Sequence, residues 1–363
     1  MSLLSAQTRQ PKAIALWLFV CCALIFVMVV LGGVTRLTRS GLSMVEWDPI
    51  MGAVPPLTRS QWEATFDKYK QFPEYREINR GMSLGEFKSI FWMEYNHRLL
   101  GRAIGLAFLL PFLYFLMTKK IGRPLLPKLG MLFVLGAFQG LLGWYMVKSG
   151  LVDKPHVSQY RLTAHLVAAM AIYGFMFWVA VGLLLPDSGR ANDPGRKRLK
   201  RVGIIVTASI CLLIISGGFV AGTKAGFAFN TFPLMNGRWV PEGIFAMQPA
   251  LINLFENIAT IQFNHRLLAG VLCLLIPAYW FLAQRTGTDS QTRIAFHLLL
   301  AMLAIQVGLG ISTLLYVVPV ALAAAHQAGA LALLTVALFI NYKLRATATH
   351  FDQSRIASSL AAG

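Results

Sequence analysis

The sequence predicts an all-α polytopic membrane protein whose eight transmembrane helices form two pseudo-symmetric four-helix bundles. Three observations favour this class: 56% of the 363 residues are hydrophobic, only 13% are charged, and bilayer-length apolar stretches recur along the chain. This composition disfavours a soluble enzyme. It also excludes a disordered chain, because 24 Phe and 8 Trp supply more apolar surface than disorder tolerates.

The predicted spans are apolar segments of about 20 residues, the length needed to cross a hydrocarbon core. They cover 13–33, 93–117, 129–147, 162–185, 202–221, 259–283, 294–315 and 321–342. Two long polar connections, 34–92 and 222–258, fall on one side of the membrane. An even number of spans places both ends of the chain on the other side.

This pattern divides the chain into five parts. A stub at 1–12 precedes the first bundle at 13–185, which contains the long connection 34–92. A basic linker at 186–201, a second bundle at 202–342 and a tail at 343–363 follow.

The net charge of +18 indicates orientation and not a nucleic-acid partner. Seventeen of the 33 basic residues lie in the stub, the tail and the connections on their side, including the run at 196–201. Basic residues concentrate in short cytoplasmic segments. The sequence therefore predicts that both ends are cytoplasmic.

The first long connection contains two signals for helix starts. Ser60 with Glu63, and Ser83 with Glu86, fit the capping-box pattern. We expect short amphipathic helices here, the second of which can continue into the next span.

The two halves repeat one another. Residues 96–100 read NHRLL, and the same five residues recur at 264–268. Glycine pairs at 32–33 and 217–218 also correspond. So do Gln139 and Gly143 with Gln306 and Gly310, and His165 with His326. Four spans separate each pair, so the repeats run in the same direction.

Four of the seven histidines belong to this repeat: His97, His165, His265 and His326. Each lies about five to seven residues inside its span, roughly 7–10 Å below the membrane boundary at 1.5 Å per residue. Facing imidazoles suit bis-histidine haem coordination, so we predict one haem site in each half. Zinc is the weaker alternative, because no third ligand shares the spacing. His156, His297 and His350 lack repeat partners and are interpreted as structural.

The two halves differ at one position where the side chain can take part in chemistry. Glu94 lies three residues before His97, whereas Gln262 lies three residues before His265. A carboxylate beside only one haem site nominates the first half for chemistry, with Glu94 as the candidate catalytic residue. The alternative is a boundary carboxylate that faces solvent or pairs with Arg98.

Several further polar side chains near the histidines have expected roles. Arginine binds carboxylates bidentately, so haem propionates are candidate partners for Arg36, Arg39, Arg98 and Arg266. Snorkelling and headgroup contacts are the alternatives. Gln139 and Gln306 are expected to form interhelical hydrogen bonds, and the glycine pairs are expected to permit close helix contact.

These residues resemble the haem A synthase family. The resemblance is carried by GGVTRLTRSGLSMVEWDPI after the first span, EYNHRLLGR in the second, QFNHRLLAG in the sixth and the later single histidines, and it covers about 13–343. It implies oxidation of the C8 methyl of haem O to a formyl group through two hydroxylations and loss of water. It also implies a b-type haem cofactor on His265 and His326, substrate haem at His97 and His165, and a glutamate, here Glu94, important for turnover.

The chain resembles the branch of that family that lacks paired loop cysteines, found in proteobacteria and mitochondria. Its four cysteines, Cys21, Cys22, Cys211 and Cys273, all lie in apolar spans. The short stub before the first span favours the bacterial case, so we expect a bacterial inner-membrane protein with its haem sites toward the periplasm.

Two other function classes remain open from the residues alone. One is a two-haem b-type electron-transfer cytochrome, and the other is a haem transporter. Contacts with a haem O-forming enzyme or an electron-transfer partner, and an oligomeric state, are also left open.

Overall fold

A computed structural model describes residues 10–46, 52, 54–151, 157–185 and 194–345. Residues 1–9 of the predicted stub, 186–193 of the linker and 346–363 of the tail lie outside the described residues, as do His156 and His350. Within the described ranges the chain is helical and contains no β-strand, which confirms the predicted all-α class.

Nine α-helices are described, and eight of them are long and apolar enough to cross a membrane. The eight are α1 (Pro11–Leu37), α3 (Leu84–Met117), α4 (Leu126–Gly150), α5 (Gln159–Leu184), α6 (Pro194–Gly222), α7 (Ile258–Gln284), α8 (Ser290–Leu315) and α9 (Val320–Leu344). The short α2 (Arg59–Tyr69) lies in the first long connection. The two long connections run over 38–83 and 223–257, and we call the side that they share the loop side.

Of the two capping boxes predicted in the first long connection, one is correct and one is wrong. Ser83 caps α3 and Glu86 completes its capping box, so α3 begins at Leu84, well before the apolar span. His97 therefore lies about three and a half turns into its helix. The box predicted at Ser60 and Glu63 is wrong, because Thr58 caps α2 with Gln61 as its partner.

Helix contacts close a ring of four helices in each half. In the first half α1 packs against α3 and α5, and α4 packs against both α3 and α5. In the second half α6 packs against α7 and α9, and α8 packs against both α7 and α9. Contacts of α1 with α9, and of α5 with α6 and α9, join the halves. The pseudo-symmetric pair of bundles stays a prediction, which these contacts support.

An aromatic cluster holds α2 against the loop-side part of α3. Its buried members are Trp62, Phe66, Tyr69, Phe87, Phe91 and Tyr95. Stacked and edge-to-face ring contacts connect them, such as Phe66 with Phe87 at 4.9 Å between ring centroids. Met44 and Val45, just after α1, pack against the same cluster. The first long connection is thus anchored directly above the start of the first bundle.

Candidate functional site

Each repeated histidine lies against a glycine of a neighbouring helix. A Cβ added to Gly32 of α1 would lie 3.1 Å from His97 Nε2, and one added to Gly217 of α6 would lie 3.3 Å from His265 Cε1. These two contacts occupy equivalent positions in the halves. The glycines therefore allow the imidazoles to approach the adjacent helix, as expected for close helix contact.

The other two histidines repeat the arrangement on the later helices. An added Cβ would lie 3.1 Å from His165 Cε1 at Gly143, and 2.8 Å from His326 Cε1 at Gly310. Such distances are shorter than ordinary contacts between carbon atoms. A side chain as small as alanine would displace both rings.

Two glutamines confirm the predicted interhelical hydrogen bonds. Gln139 Nε2 donates to the His165 carbonyl at 3.0 Å, and Gln306 Nε2 donates to the His326 carbonyl at 2.9 Å. Each bond joins the third helix of its half to the fourth, at the turn that carries the histidine.

The two repeated histidines of each half influence one another electrostatically, His97 with His165 and His265 with His326. All four residues are half-buried. Their pairing around a haem stays a prediction.

The imidazole nitrogens have the character required of metal ligands. Nδ1 of His165 and Nδ1 of His326 are buried and have no hydrogen-bond partner among the described residues. A buried polar atom normally has such a partner, and a neutral imidazole without one is suited to bind a metal. Within the described ranges no three His, Cys, Asp or Glu side chains cluster as a metal site would require. The donor set thus fits the two axial positions of a haem iron better than tetrahedral zinc.

Glu94 is 2% exposed and is surrounded by donors from the chain. Its Oε2 accepts from Ser43 N and Ser43 Oγ, both at 2.7 Å, and from Met44 N at 2.9 Å. Its Oε1 accepts from Arg98 Nη2 at 2.6 Å and Nε at 3.1 Å. The pairing with Arg98 is the arrangement that sequence reasoning kept as the alternative to a catalytic role.

Arg98 and Arg266 hold the loop-side segments that follow α1 and α6. Arg98 donates to the carbonyls of Met44 at 2.8 Å and Glu46 at 3.2 Å. Arg266 donates to the carbonyls of Phe229 at 2.8 Å and Thr231 at 2.9 Å. Counted from the glycine pairs, Phe229 and Thr231 correspond to Met44 and Glu46. The two arginines therefore make the same contacts in the two halves.

Arg36 lies in the last turn of α1 and Arg39 lies just after it, and Arg36 joins the two halves. Arg36 Nη1 donates to the Ala221 carbonyl of α6 at 2.7 Å. Arg39 is exposed and has a positive φ of 52°, and Lys224, its counterpart in the second half, has a φ of 58°. Contacts with haem propionates stay a prediction for all four arginines.

Sequence reasoning missed a buried carboxyl, Glu74, that lies within electrostatic range of Arg39 and Lys224. Glu74 is 4% exposed, and burial raises its pKa to about 7 against the opposing influence of Arg39 and Lys224. In the sequence it looks like one more acid of a polar connection. In the sequence, Arg39 and Lys224 are connected only by their equal spacing from the glycine pairs of the two halves.

Sequence reasoning also missed a difference in how the two halves are filled. Gly136 is exposed, but it is in register with the buried Leu132 and with Gly143, and we call the face of α4 that carries these three residues its inner face. A Cβ added there would meet no described atom within 4 Å. The corresponding residue of α8 is Leu303, which is buried in the core. This difference is visible in the sequence when Gln139 is aligned with Gln306, because Gly136 and Leu303 each lie three residues earlier.

Comparison with known proteins connects the chain to one family. The COX15-CtaA model, described as cytochrome oxidase assembly protein, matches residues 15–338. The protein named heme A synthase of Nitrosospira multiformis is 58% identical over 334 residues, covering 92% of this chain and 94% of that protein. The heme A synthase of Nitrosomonas eutropha is 53% identical over 338 residues, covering 93% and 95%. The protein named heme A synthase COX15 of Bos taurus is 46% identical over 340 residues, covering 92% and 82%.

Proposed function

This chain belongs to the COX15-CtaA family of cytochrome oxidase assembly proteins, and we propose that it is a haem A synthase, an enzyme that converts haem O to haem A. Relatives with this name match more than nine-tenths of the chain at 46–58% identity. The observation that carries the proposal is the pair of repeated histidine sites, of which only the first has a carboxylate beside it.

The second half is assigned to a resident b-type haem. His265 and His326 would hold it, because they influence one another electrostatically and His326 Nδ1 is buried without a hydrogen-bond partner in the described part of the chain. When bound, such a haem supplies one-electron redox chemistry. The chain orients the ligands through Gln306 at the His326 carbonyl and Ser216 Oγ, 3.3 Å from His265 Nδ1.

The first half is assigned to the substrate. His97 and His165 would bind haem O, and the less filled inner face at Gly136 favours a large ligand that enters and leaves. Helices α3 and α4 are less closely packed against each other than α7 and α8, which favours lateral entry from lipid between α3 and α4. Arg36, Arg39, Arg98 and Arg266 remain candidate propionate partners.

The proposed reaction oxidises the C8 methyl group of haem O twice. Two hydroxylations replace two C–H bonds of the methyl group by C–O bonds and remove four electrons, which an external oxidant takes up. The resulting geminal diol loses water to leave the formyl group of haem A. The chain binds and orients the porphyrin and keeps Glu94 beside it. Glu94 is needed for turnover in this proposal.

The protein is a multi-pass membrane protein by its helices and relatives, and we place it in a bacterial inner membrane. The basic segments favour cytoplasmic ends, which puts the loop side and both histidine pairs toward the periplasm. The four cysteines lie in α1, α6 and α7, in keeping with the branch without loop cysteines. An electron-transfer partner, and contact with the enzyme that supplies haem O, belong to the same proposal.

Pigment analysis tests the function. The purified protein, produced together with a haem O-forming enzyme, is extracted and its haems are separated by chromatography. We expect haem B with haem O, an alcohol intermediate or haem A. Haem B alone, in two equivalent sites, would support an electron-transfer cytochrome instead. His326→Ala should remove haem B, whereas His165→Ala should remove the substrate haem and its products.

A further inference from the structure

We propose that Glu94 is a positioning residue that acts with Ser43 and Arg98 to hold the 40–46 segment over the first histidine pair, and that Ser43 is a further residue required for turnover. The inference rests on the proposed function, because it concerns the site assigned to haem O. Ser43 is 2% exposed and lies in the irregular chain after α1.

The hydrogen bonds of Glu94 leave its carboxylate no capacity for a substrate proton. A carboxylate offers about four acceptor positions. Five donor atoms of Ser43, Met44 and Arg98 already lie within 2.6–3.1 Å of its two oxygens. Two of these bonds come from the Arg98 guanidinium, and hydrogen bonds from a charged donor to a carboxylate are among the stronger ones in proteins. The geometry therefore suits an anchor that the chain holds in place and not a group that is free to contact the substrate.

Comparison with the second half shows which hydrogen bonds around Glu94 occur only in the first half. Gln262 takes the place of Glu94, and its Nε2 donates to the Ala225 carbonyl at 2.9 Å. Ala228 takes the place of Ser43, so the hydroxyl is absent there. The arginine contacts are the same in both halves. Only the first half thus holds its segment by two backbone N–H groups and a hydroxyl, all pointing at one carboxylate oxygen.

The 40–46 segment covers the loop-side end of the first bundle. Leu42 packs over Gly150 at the end of α4, where an added Cβ would lie 3.0 Å from Leu42 Cδ2. Met44 packs into the aromatic cluster beside α3. Glu94 and Ser43 fix the segment between these two contacts, about one helical turn from His97. A small displacement here changes the position of a porphyrin held at that histidine, and a misplacement of 1 Å can cost about a hundredfold in rate.

The experiment compares haem A formation by the full-length protein and its variants Ser43→Ala, Glu94→Gln and the double variant, each produced with haem O supply. Ser89→Ala is the matched control, because Ser89 is an exposed hydroxyl on α3 that bonds only the Gly85 carbonyl among the described residues. Haem B bound in the second half reports folding of every variant. The pH profile of turnover is the readout that separates positioning from proton transfer.

We expect Ser43→Ala to lower haem A formation between about tenfold and a hundredfold. Haem B content should stay normal, and the pH profile should keep its shape. The double variant should be no worse than Glu94→Gln alone, because both residues act through one contact.

Full activity of Ser43→Ala beside an inactive Glu94→Gln would overturn the inference and return Glu94 to direct chemistry, as would the loss of one limb of the pH profile in Glu94→Gln. An unmodified protein that makes no haem A would instead overturn the proposed function itself.

Discussion

Arg36 of α1 donates a 2.7 Å hydrogen bond to the carbonyl of Ala221 in α6, the residue at its own position in the second half. Each of the two residues follows the glycine pair of its half by three positions. The bond therefore lies where equivalent parts of the two repeats meet, at the loop-side ends of α1 and α6.

Replacing Arg36 by methionine should destabilise the contact between the halves. A hydrogen bond from a charged donor contributes about 1.5–3 kcal/mol, so Arg36→Met should lower the free energy of unfolding by about that amount. Thermal unfolding in detergent, followed by circular dichroism, measures the change. Arg59→Met is the control, because among the described residues Arg59 forms only an exposed ion pair with Glu63. Equal melting temperatures of the two variants would contradict the assignment.

Gly310→Ala should displace His326. Its new Cβ would lie 2.8 Å from His326 Cε1, so the ring or the helix must move. We expect the purified variant to contain clearly less haem B, measured by the pyridine haemochrome spectrum. Gly308→Ala is the matched control two residues away, where an added Cβ meets no described atom within 4 Å. Normal haem B content in Gly310→Ala would show that His326 does not hold that haem.

The eight spans could be predicted from the sequence because bilayer thickness imposes one length on every apolar helix. The lengths of the helices could not be predicted in this way, since α3 begins at the cap formed by Ser83, several residues before its apolar part. The contact of each repeated histidine with a glycine of a neighbouring helix follows the repeat, because both halves carry the same residues at the same spacing, whereas the pairing of these histidines around a haem stays a prediction.

The contacts that the site residues make could be identified only from the structure. Glu94 contacts Ser43, and Glu74 comes within electrostatic range of Arg39 and Lys224, only because the first long connection folds back onto the helices. Neither hydropathy nor helical periodicity describes such a segment. The positions at which the two repeats differ were as informative as those at which they agree. Glu94 corresponds to Gln262 and Gly136 corresponds to Leu303, and these differences distinguish the two halves.

Gly136→Leu should close the first half to its substrate. The variant gives α4 the residue that α8 has at Leu303, on the inner face where the described chain leaves open space. We expect haem O and haem A in extracts to fall more than about tenfold, equivalent to about 1.4 kcal/mol of lost binding, while haem B stays constant. Gly130→Leu is the control, because Gly130 also has open space around it but is out of register with Leu132 and Gly143. Equal losses in both variants would refute a specific effect of the inner face.

Glu74 should make stability depend on pH. Burial raises its pKa from 4.5 to about 7, so the folded protein binds this proton more tightly than the unfolded chain. The contribution of Glu74 to stability is therefore most favourable below about pH 4.5 and declines as the pH rises through 7. Arg39 and Lys224 reduce the cost of its charge, whereas Glu77 and Glu94 add to it.

Glu74→Gln removes the buried charge and keeps the shape of the side chain. We expect the variant to melt at a higher temperature than the unmodified protein at pH 8 and at a similar temperature at pH 5, measured by thermal unfolding in detergent. Glu77→Gln controls for the loss of one negative charge from the same turn, because Glu77 is exposed. A difference in melting temperature that is the same at both pH values would mean that Glu74 does not titrate in this range. The sign of the effect follows from the direction of the pKa shift alone, so a lower melting temperature at pH 8 would contradict the buried, weakly compensated environment described for this carboxyl.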